Sequence, residues 1–381
     1  MITQMITQLI MSINREQVQE EALKVSLDND RCTLGISMGV GKTRIAIKNL
    51  QERYDPFISA LVVVPKLSIR DSWIEELKKL NLEDLLNHIS FVTYLSLNKK
   101  DPSKYDIVYL DECHSILESH ISFLDNFKGK ILGLTGTPPN NSTSIKYRLL
   151  DKYCPIKYTF TVDEATDSDI LNDYRIIVHK LKLSKLKNCK KKNKKTGGTW
   201  FTSEHDDYNY VSQRFLQATT GKQKQMAAIM RMKALQSYYT KEEYAKSLVK
   251  SMEDKVIVFA NTKEQADRVA PYSFYSGNTM SNHNLRMFAN DEIPALSCIL
   301  QLSEGVTIPN LRQGIIMHAY GNERKSAQRI GRLLRLNPDE TATCHILCYK
   351  DTVDEKWVDN ALKEFDNSKI KYYDPLKASY E

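Results

Sequence analysis

The chain has 381 residues, with 54 Lys and Arg against 47 Asp and Glu for a formal charge of +7. Hydrophobic residues make up 41% and charged residues 27%, which excludes wholesale disorder, collagen and a disulfide-stapled miniature scaffold. At roughly 100–200 residues per domain, two or three domains are expected, each with its own core.

No run approaches the ~18 apolar residues that cross a bilayer. The opening MITQMITQLIMSIN carries no Lys or Arg, so it is a poor signal peptide, and its duplicated MITQ reads as start-site redundancy or a loose tail. A soluble intracellular protein is expected, in the cytoplasm of a host or source cell. The seven cysteines agree, being odd in number, scattered and without a C-x-x-C pair. Cys344 and Cys348, beside His345 in TCHILCY, read as small buried hydrophobes rather than metal ligands.

Along the chain, short β-rich runs alternate with longer amphipathic stretches, which predicts βαβ units and parallel sheets. The first series of strands is expected at Cys32–Ser37, Ala60–Val64, Ser90–Thr93, Asp106–Leu110 and Lys130–Leu134. A second is expected at Ile176–Leu183, Lys255–Ala260, Tyr272–Tyr275, Ala295–Leu300, Gln313–Ala319 and Thr343–Tyr349. The fold class is therefore α/β, with a domain over residues 1–160 and another over 161–381, the change-over falling near Tyr158–Asp173. Lys180 to Lys195 holds nine lysines in sixteen residues, a run that leads into an insertion at about 184–210. Such a run repels itself and forms no core. It reads either as a solvated loop or hairpin tip, or as a phosphate-contacting projection through Lys190, Lys191, Lys192, Lys194 and Lys195. In the second reading Gly197-Gly198 supplies a turn and Trp200-Phe201 a stacking pair. Residues 210–252 read as helices.

Three segments carry chemistry. After the first strand comes Ser37-Met38-Gly39-Val40-Gly41-Lys42-Thr43, leading into a helical pattern. Glycines let backbone N–H groups close around phosphate oxygens at a helix N-terminus. Lys42 would reach the β- and γ-phosphates and the Thr43 hydroxyl would ligate Mg²⁺, as in a Walker A loop. The loop is incomplete in text, since Ile36 stands where the pattern wants its first Gly. Next, Asp106-Ile-Val-Tyr-Leu-Asp111-Glu112-Cys113-His114 delivers two carboxylates at the carboxyl end of a strand, where open α/β sheets bind ligands. Asp111 would hold Mg²⁺ through water, and Glu112 would orient and deprotonate an attacking water. Far downstream, Gln328-Arg329-Ile330-Gly331-Arg332-Leu333-Leu334-Arg335 sets arginines near one face of a helical turn, from which Arg332 and Arg335 could act as arginine fingers.

Together these segments resemble a superfamily 2 helicase or translocase of the DExH type. The likeness is to compact viral or phage UvsW-like members, with Swi/Snf-like motifs I and III. It runs in order from about Asn14 to Arg335: Arg15-x-Gln17, ISMGVGKT, VVPKLSIRDSW, Thr93-Tyr94, DECH, LTGTPPN, Val256–Thr262, SEGVTIPN and QRIGRLLR. Val162 to Tyr174 resembles the linker of UvsW-type helicases. Thr307 departs from the Asp or Asn common in its motif. Little chain follows Arg335, so no large accessory domain is expected.

The resemblance implies two RecA-like lobes closing on ATP and Mg²⁺, with Lys42, Asp111, Glu112, Gln328, Arg332 and Arg335 catalytic. Gln17 would read adenine. Gly39, Val40, Gly41, Lys42, Thr43, Arg44 and Gly305 would hold the nucleotide, and Thr43 and Asp111 the metal. His114, Thr135 and Thr137 would relay hydrolysis to a strand-gripping surface that includes Lys66, Thr93, Asn261, Thr262, Gly277 and Ser303. The implied partner is nucleic acid, branched or partly duplex DNA first and RNA as the alternative, with a replication, recombination or transcription protein beside it. A clamp without motor activity and another kind of phosphate-loop enzyme, such as a nucleotide kinase, are the readings from other classes.

Overall fold

The computed structural model describes residues 14–37, 39–67, 69–139, 141–168, 170–192, 197–299, 308–318, 340–363 and 365–375. The chain forms two compact units, one ending at Asp173 and the other beginning at Tyr174. Each is a mostly parallel sheet flanked by helices, as the alternating pattern predicts. Among the described residues no helix is long and apolar enough to cross a membrane.

The first unit runs α1 (Arg15–Asp28), β1 (Arg31–Ile36), α2 (Lys42–Glu52), β2 (Ala60–Val64), α3 (Ile69–Lys79), β3 (Ile89–Thr93), β4 (Ile107–Asp111), α4 (Ile121–Asn126), β5 (Lys130–Thr135), α5 (Ile145–Tyr153), β6 (Ile156–Phe160) and α6 (Val162–Asp167). Its sheet order is β3-β2-β4-β5-β1-β6, and every pairing is parallel. β2 and β4 are buried along their whole length, which is why they read as unbroken apolar runs rather than alternating ones. Because all six strands point the same way, their carboxyl ends share one edge. Register aligns Gly35 with Thr135, Asp111 with Leu134 and Val64 with Thr93 on that edge. Beneath it, Leu61, Val63, Val108, Leu110, Phe123 and Phe127 form the core.

The second unit contains β7 (Asp173–Leu181), β8 (Cys189–Lys192), β9 (Thr199–Thr202), α7 (Glu204–Leu216), α8 (Gly221–Ser237), α9 (Tyr239–Ser251), β10 (Val256–Phe259), α10 (Lys263–Val269), β11 (Ser273–Phe274), α11 (Ser281–Ala289), β12 (Ala295–Cys298), β13 (Gln313–Ile316), β14 (Thr341–Tyr349), α12 (Val353–Leu362) and β15 (Ile370–Tyr373). Its main sheet has the order β11-β12-β10-β13-β14-β7-β15, while β8 and β9 pair separately as an antiparallel hairpin. Lys241 is wholly buried and bonds Asp354 Oδ2 at 2.5 Å and the Met317 carbonyl at 3.0 Å, which ties α9 to the end of β13. Cys344 and Cys348 are buried in β14, as expected. Within the same strand His345 Nδ1 meets His179 Nε2 at 2.8 Å, and His179 Nδ1 meets Tyr244 Oη at 2.9 Å.

The sequence reading places no strand at β6 or β15. Both are short and largely solvent-facing, so neither shows the apolar run that marks the central strands.

Candidate functional site

The loop between β1 and α2 is shaped by Gly39 at φ 93° and Gly41 at φ 110°, a left-handed backbone that favours glycine. Gly41 is the N-cap of α2 and offers no side-chain acceptor, so the first-turn N–H groups are left for another acceptor and the helix dipole favours an anion. Lys42 Nζ donates to the Ile36 carbonyl at 3.1 Å, which sets the ammonium at the loop. The buried Ser37 Oγ has no hydrogen-bond partner among the described residues. Gln19 braces the loop from behind: it is buried, and its Nε2 donates to the Val40 carbonyl at 2.6 Å. A Cβ on Gly41 would lie 2.5 Å from that same nitrogen.

Gln17 sits elsewhere. It closes a capping box with Asn14 at the start of α1, taking the Asn14 N–H at 2.8 Å and giving its own N–H to Asn14 Oδ1 at 2.9 Å. Arg44 turns toward α3, with Nη1 3.5 Å from Glu76 Oε1. Thr43 lies in the first turn of α2, half-buried beside the loop.

One strand over from β5, and two from β1, β4 ends at Asp111. The carboxylate is 8% exposed, and Trp73 Nε1 donates to its Oδ2 at 3.1 Å. Tyr94 Oη donates to the Asp111 carbonyl at 2.9 Å. Burial pushes the Tyr94 phenol well above its usual range, so it stays a donor. Trp73 is wholly buried, its ring 6.3 Å from Phe91 and 5.9 Å from Tyr109. The chain then turns sharply. Glu112 adopts φ 51°, a conformation costly for a side-chain-bearing residue and of the kind that clusters at functional sites.

Glu112 Oε2 lies 3.4 Å from His114 Nδ1, and that nitrogen is 2.9 Å from Thr135 Oγ1. Thr135 Oγ1 in turn accepts the Thr137 N–H at 3.1 Å. A polar chain thus links the carboxylate turn after β4 to the loop after β5. Thr137 Oγ1 is buried without a hydrogen-bond partner among the described residues. Gly133 makes this packing possible, because a Cβ there would collide with Thr33 Oγ1 and lie 3.1 Å from Cys113 Sγ.

These groups suit a nucleotide and a divalent cation. The helix N-terminus and Lys42 present donors and positive charge, while Thr43 and Asp111 supply the hard oxygens that Mg²⁺ selects. On the same sheet edge, Lys66 follows β2 exposed and Thr93 ends β3 half-buried.

In the second unit, Asn261 and Thr262 follow β10. Thr262 Oγ1 caps α10 by accepting the Gln265 N–H at 3.2 Å, and the Asn261 N–H donates to Gln265 Oε1 at 2.9 Å. Gly277 follows β11 at φ 94°. Lys263 Nζ lies 3.2 Å from where its Cβ would be and 5.4 Å from the Tyr275 ring centre. Lys190 and Lys192 are exposed on β8, whereas Lys191 turns inward to Asp207 Oδ2 at 2.6 Å. Lys191 is therefore held inside its own unit, while Lys190 and Lys192 face solvent. Ser303, Gly305, Gln328, Arg332, Arg335, Lys194 and Lys195 lie outside the described residues.

Sequence reasoning missed Gln19, Trp73 and Lys263. Gln19 carried a signal, since Val18, Ala22 and Ser26 mark the buried face of α1 and Gln19 lies on it. Trp73 and Lys263 reach their neighbours only through tertiary packing.

Two family models match in tandem: the type III restriction enzyme res subunit over residues 5–140 and the helicase conserved C-terminal domain over residues 240–337. Among individual proteins, the chain is 25% identical to the DNA 3'-5' translocase XPB2 of Sulfurisphaera tokodaii, over 90% of this chain and 83% of that one. It is 30% identical to QP509L of African swine fever virus, which is named as an ATP-dependent RNA helicase, over 34% of this chain and 29% of that one. In fold it resembles the ATP-dependent Type ISP restriction-modification enzyme LlaBIII bound to DNA, with TM-score 0.61 and 15% identity over 94% of this chain and 31% of that one. The restriction-type and helicase matches fall in order on the two RecA-like units, and the chain belongs to superfamily 2 of the helicases and translocases.

Proposed function

We propose that the chain is an ATP-driven helicase or translocase acting on branched or partly duplex DNA. The observation that carries this reading is the convergence on one sheet edge of the Gly39–Lys42 loop, Asp111 and Glu112, and the His114–Thr135–Thr137 chain. A module that only clamps nucleic acid has no need of a carboxylate pair on the same sheet edge as a phosphate loop. A nucleotide kinase has no need of the second unit.

In this reading the loop N–H groups and Lys42 hold the β- and γ-phosphates, and Gln19 keeps the loop in shape through Val40. Thr43 and Asp111 would hold Mg²⁺, which when bound offsets the charge that develops on the phosphates. Trp73 and Tyr94 fix Asp111 in orientation. Glu112, at the turn, accepts the proton of the attacking water. His114, hydrogen-bonded to Thr135, registers the change at Glu112 and passes it to the loop at Thr137. Gln328, Arg332 and Arg335 would complete the γ-phosphate contacts. Lys66, Thr93, Asn261, Thr262, Gly277 and Ser303 would grip phosphates, contacts that position a strand without reading its sequence.

DNA is favoured over RNA because the relative aligned along most of both chains is named a DNA translocase. The RNA helicase reading rests on the viral relative and a shorter alignment. An ATPase panel with single-stranded, duplex and forked DNA and with RNA tests both. Stimulation greatest by forked or duplex DNA is expected. Stimulation by RNA alone would move the assignment to RNA, and no stimulation by any of the four would end the motor reading.

A further inference from the structure

We propose that the β8–β9 hairpin is a grip for unpaired nucleic acid, with Lys190 and Lys192 on phosphates and Phe201 stacked on a base. The proposal rests on the reading that this chain acts on nucleic acid, and it names the form of strand that this element selects.

Charge is the first observation. Between the end of β7 and the start of β10, residues 182–255 hold seventeen Lys and Arg against seven Asp and Glu, a net of +10. The whole chain carries +7, so all the rest together carries −3. The pull of this protein on a polyanion is therefore concentrated in one inserted segment, not spread over its two sheets.

Register is the second. Residues directly opposite on an antiparallel pair share a face. Lys190 stands opposite Phe201 and Lys192 opposite Thr199, so these four share one face, while Lys191 and Trp200 share the other. The second face is anchored, because Lys191 bonds Asp207 at 2.6 Å and Asp207 also accepts the Tyr238 hydroxyl at 3.0 Å. The first face is turned outward. Lys190 and Lys192 are exposed and form no ion pair among the described residues, and Phe201 is 59% exposed.

A flat apolar ring beside two exposed cations is what a single strand needs: a platform for a base and charges for its backbone. In a duplex the faces of the bases are already stacked on one another, so the ring has nothing to take. The lysines alone would serve a duplex, an acidic protein or an anionic membrane equally well. Phe201 is the discriminating group.

The test uses the full chain without nucleotide, a fluorescent oligothymidylate, a duplex of equal length, and heparin as a polyanion lacking bases. The Lys190→Gln/Lys192→Gln variant should weaken all three. For the oligothymidylate it should lower the salt slope by about 1.4, at ~0.7 per lost contact. Phe201→Ala should weaken oligothymidylate binding roughly 5- to 150-fold, the loss of one stacked base, with salt slope, duplex affinity and heparin affinity unchanged. Phe201→Trp should restore it. Trp200→Ala removes an equally exposed ring from the anchored face and should stay within about twofold of wild type by the same measure. Thermal melting of each variant guards against unfolding. Unaltered oligothymidylate binding by Phe201→Ala, or an equal loss toward heparin, overturns the proposal while leaving the motor reading intact. A wild-type chain that binds neither strand form at low salt removes both.

Discussion

Replacing Trp73 by Phe removes one hydrogen bond, from Nε1 to Asp111 Oδ2 at 3.1 Å, and keeps an aromatic ring in the same buried space. The acceptor is a carboxylate only 8% exposed, so water does not readily replace the lost donor. A bond to such a charged group contributes about 1.5–3 kcal/mol. If that energy serves to hold Asp111 for the metal, its loss appears as a demand for more Mg²⁺, by roughly 10- to 140-fold at half-saturation. The smaller ring also loosens packing against Phe91 and Tyr109, which lowers the melting temperature but has no reason to change the Mg²⁺ titration. Leu77→Ala on the same helix is the control. Leu77 is wholly buried, and its truncation should cost about 2–5 kcal/mol of stability while leaving the Mg²⁺ requirement alone. The assay is steady-state ATPase against Mg²⁺ at saturating ATP, with a thermal melt of each variant. A Trp73→Phe half-saturation within about twofold of wild type would refute the reasoning.

Lys42→Ala should abolish ATP turnover, and near-normal turnover would remove Lys42 from the phosphate site. Glu112→Gln should still bind ATP, followed with a fluorescent analogue, yet hydrolyse it at least ~10²-fold more slowly; an unchanged rate would deny it the role of base. The His179–His345 pair sets an acid limit on the fold. Burial, aided by each other's proximity, pushes His179 down to about 3, and burial pushes His345 down to about 4. The unfolded chain takes up both protons near 6.5 and the folded one does not. The pair's contribution to stability is therefore flat well above pH 6.5 and falls below it, by up to ~2.7 kcal/mol per pH unit, until the folded pair titrates. Urea unfolding at pH 7.5 and 5.0 measures the fall, and His345→Gln should reduce it by about half. An equal fall in that variant would place the acid sensitivity elsewhere.

Much of the candidate site's edge is legible in the sequence because its parts are local. A strand, a glycine turn and a helix start at Lys42 announce themselves in one stretch, and so does the apolar run that ends in Asp111. What lay hidden depended on phase and on pairing. Gln17 and Gln19 differ by about 200° around α1, and only the burial of Val18 and Ala22 says which of them faces the loop. The indole of Trp73 meets a carboxylate 38 residues away because β2 and β4 are neighbours, which no local pattern states. In the lysine-rich segment, composition gave charge but no alternation. Without the register of β8 on β9, nothing separated Lys191, anchored to Asp207, from the outward Lys190 and Lys192.

Helix α3 joins two places that would otherwise be independent. The Lys66 carbonyl accepts the Ile69 N–H at 3.1 Å and thereby starts the helix, and one turn further along the same rod Trp73 holds Asp111. A substitution that shifts the start of α3 would therefore also reach the indole that bonds the Asp111 carboxylate. On the proposed reading, a contact to the strand and a ligand to the metal are thus served by one and the same helix.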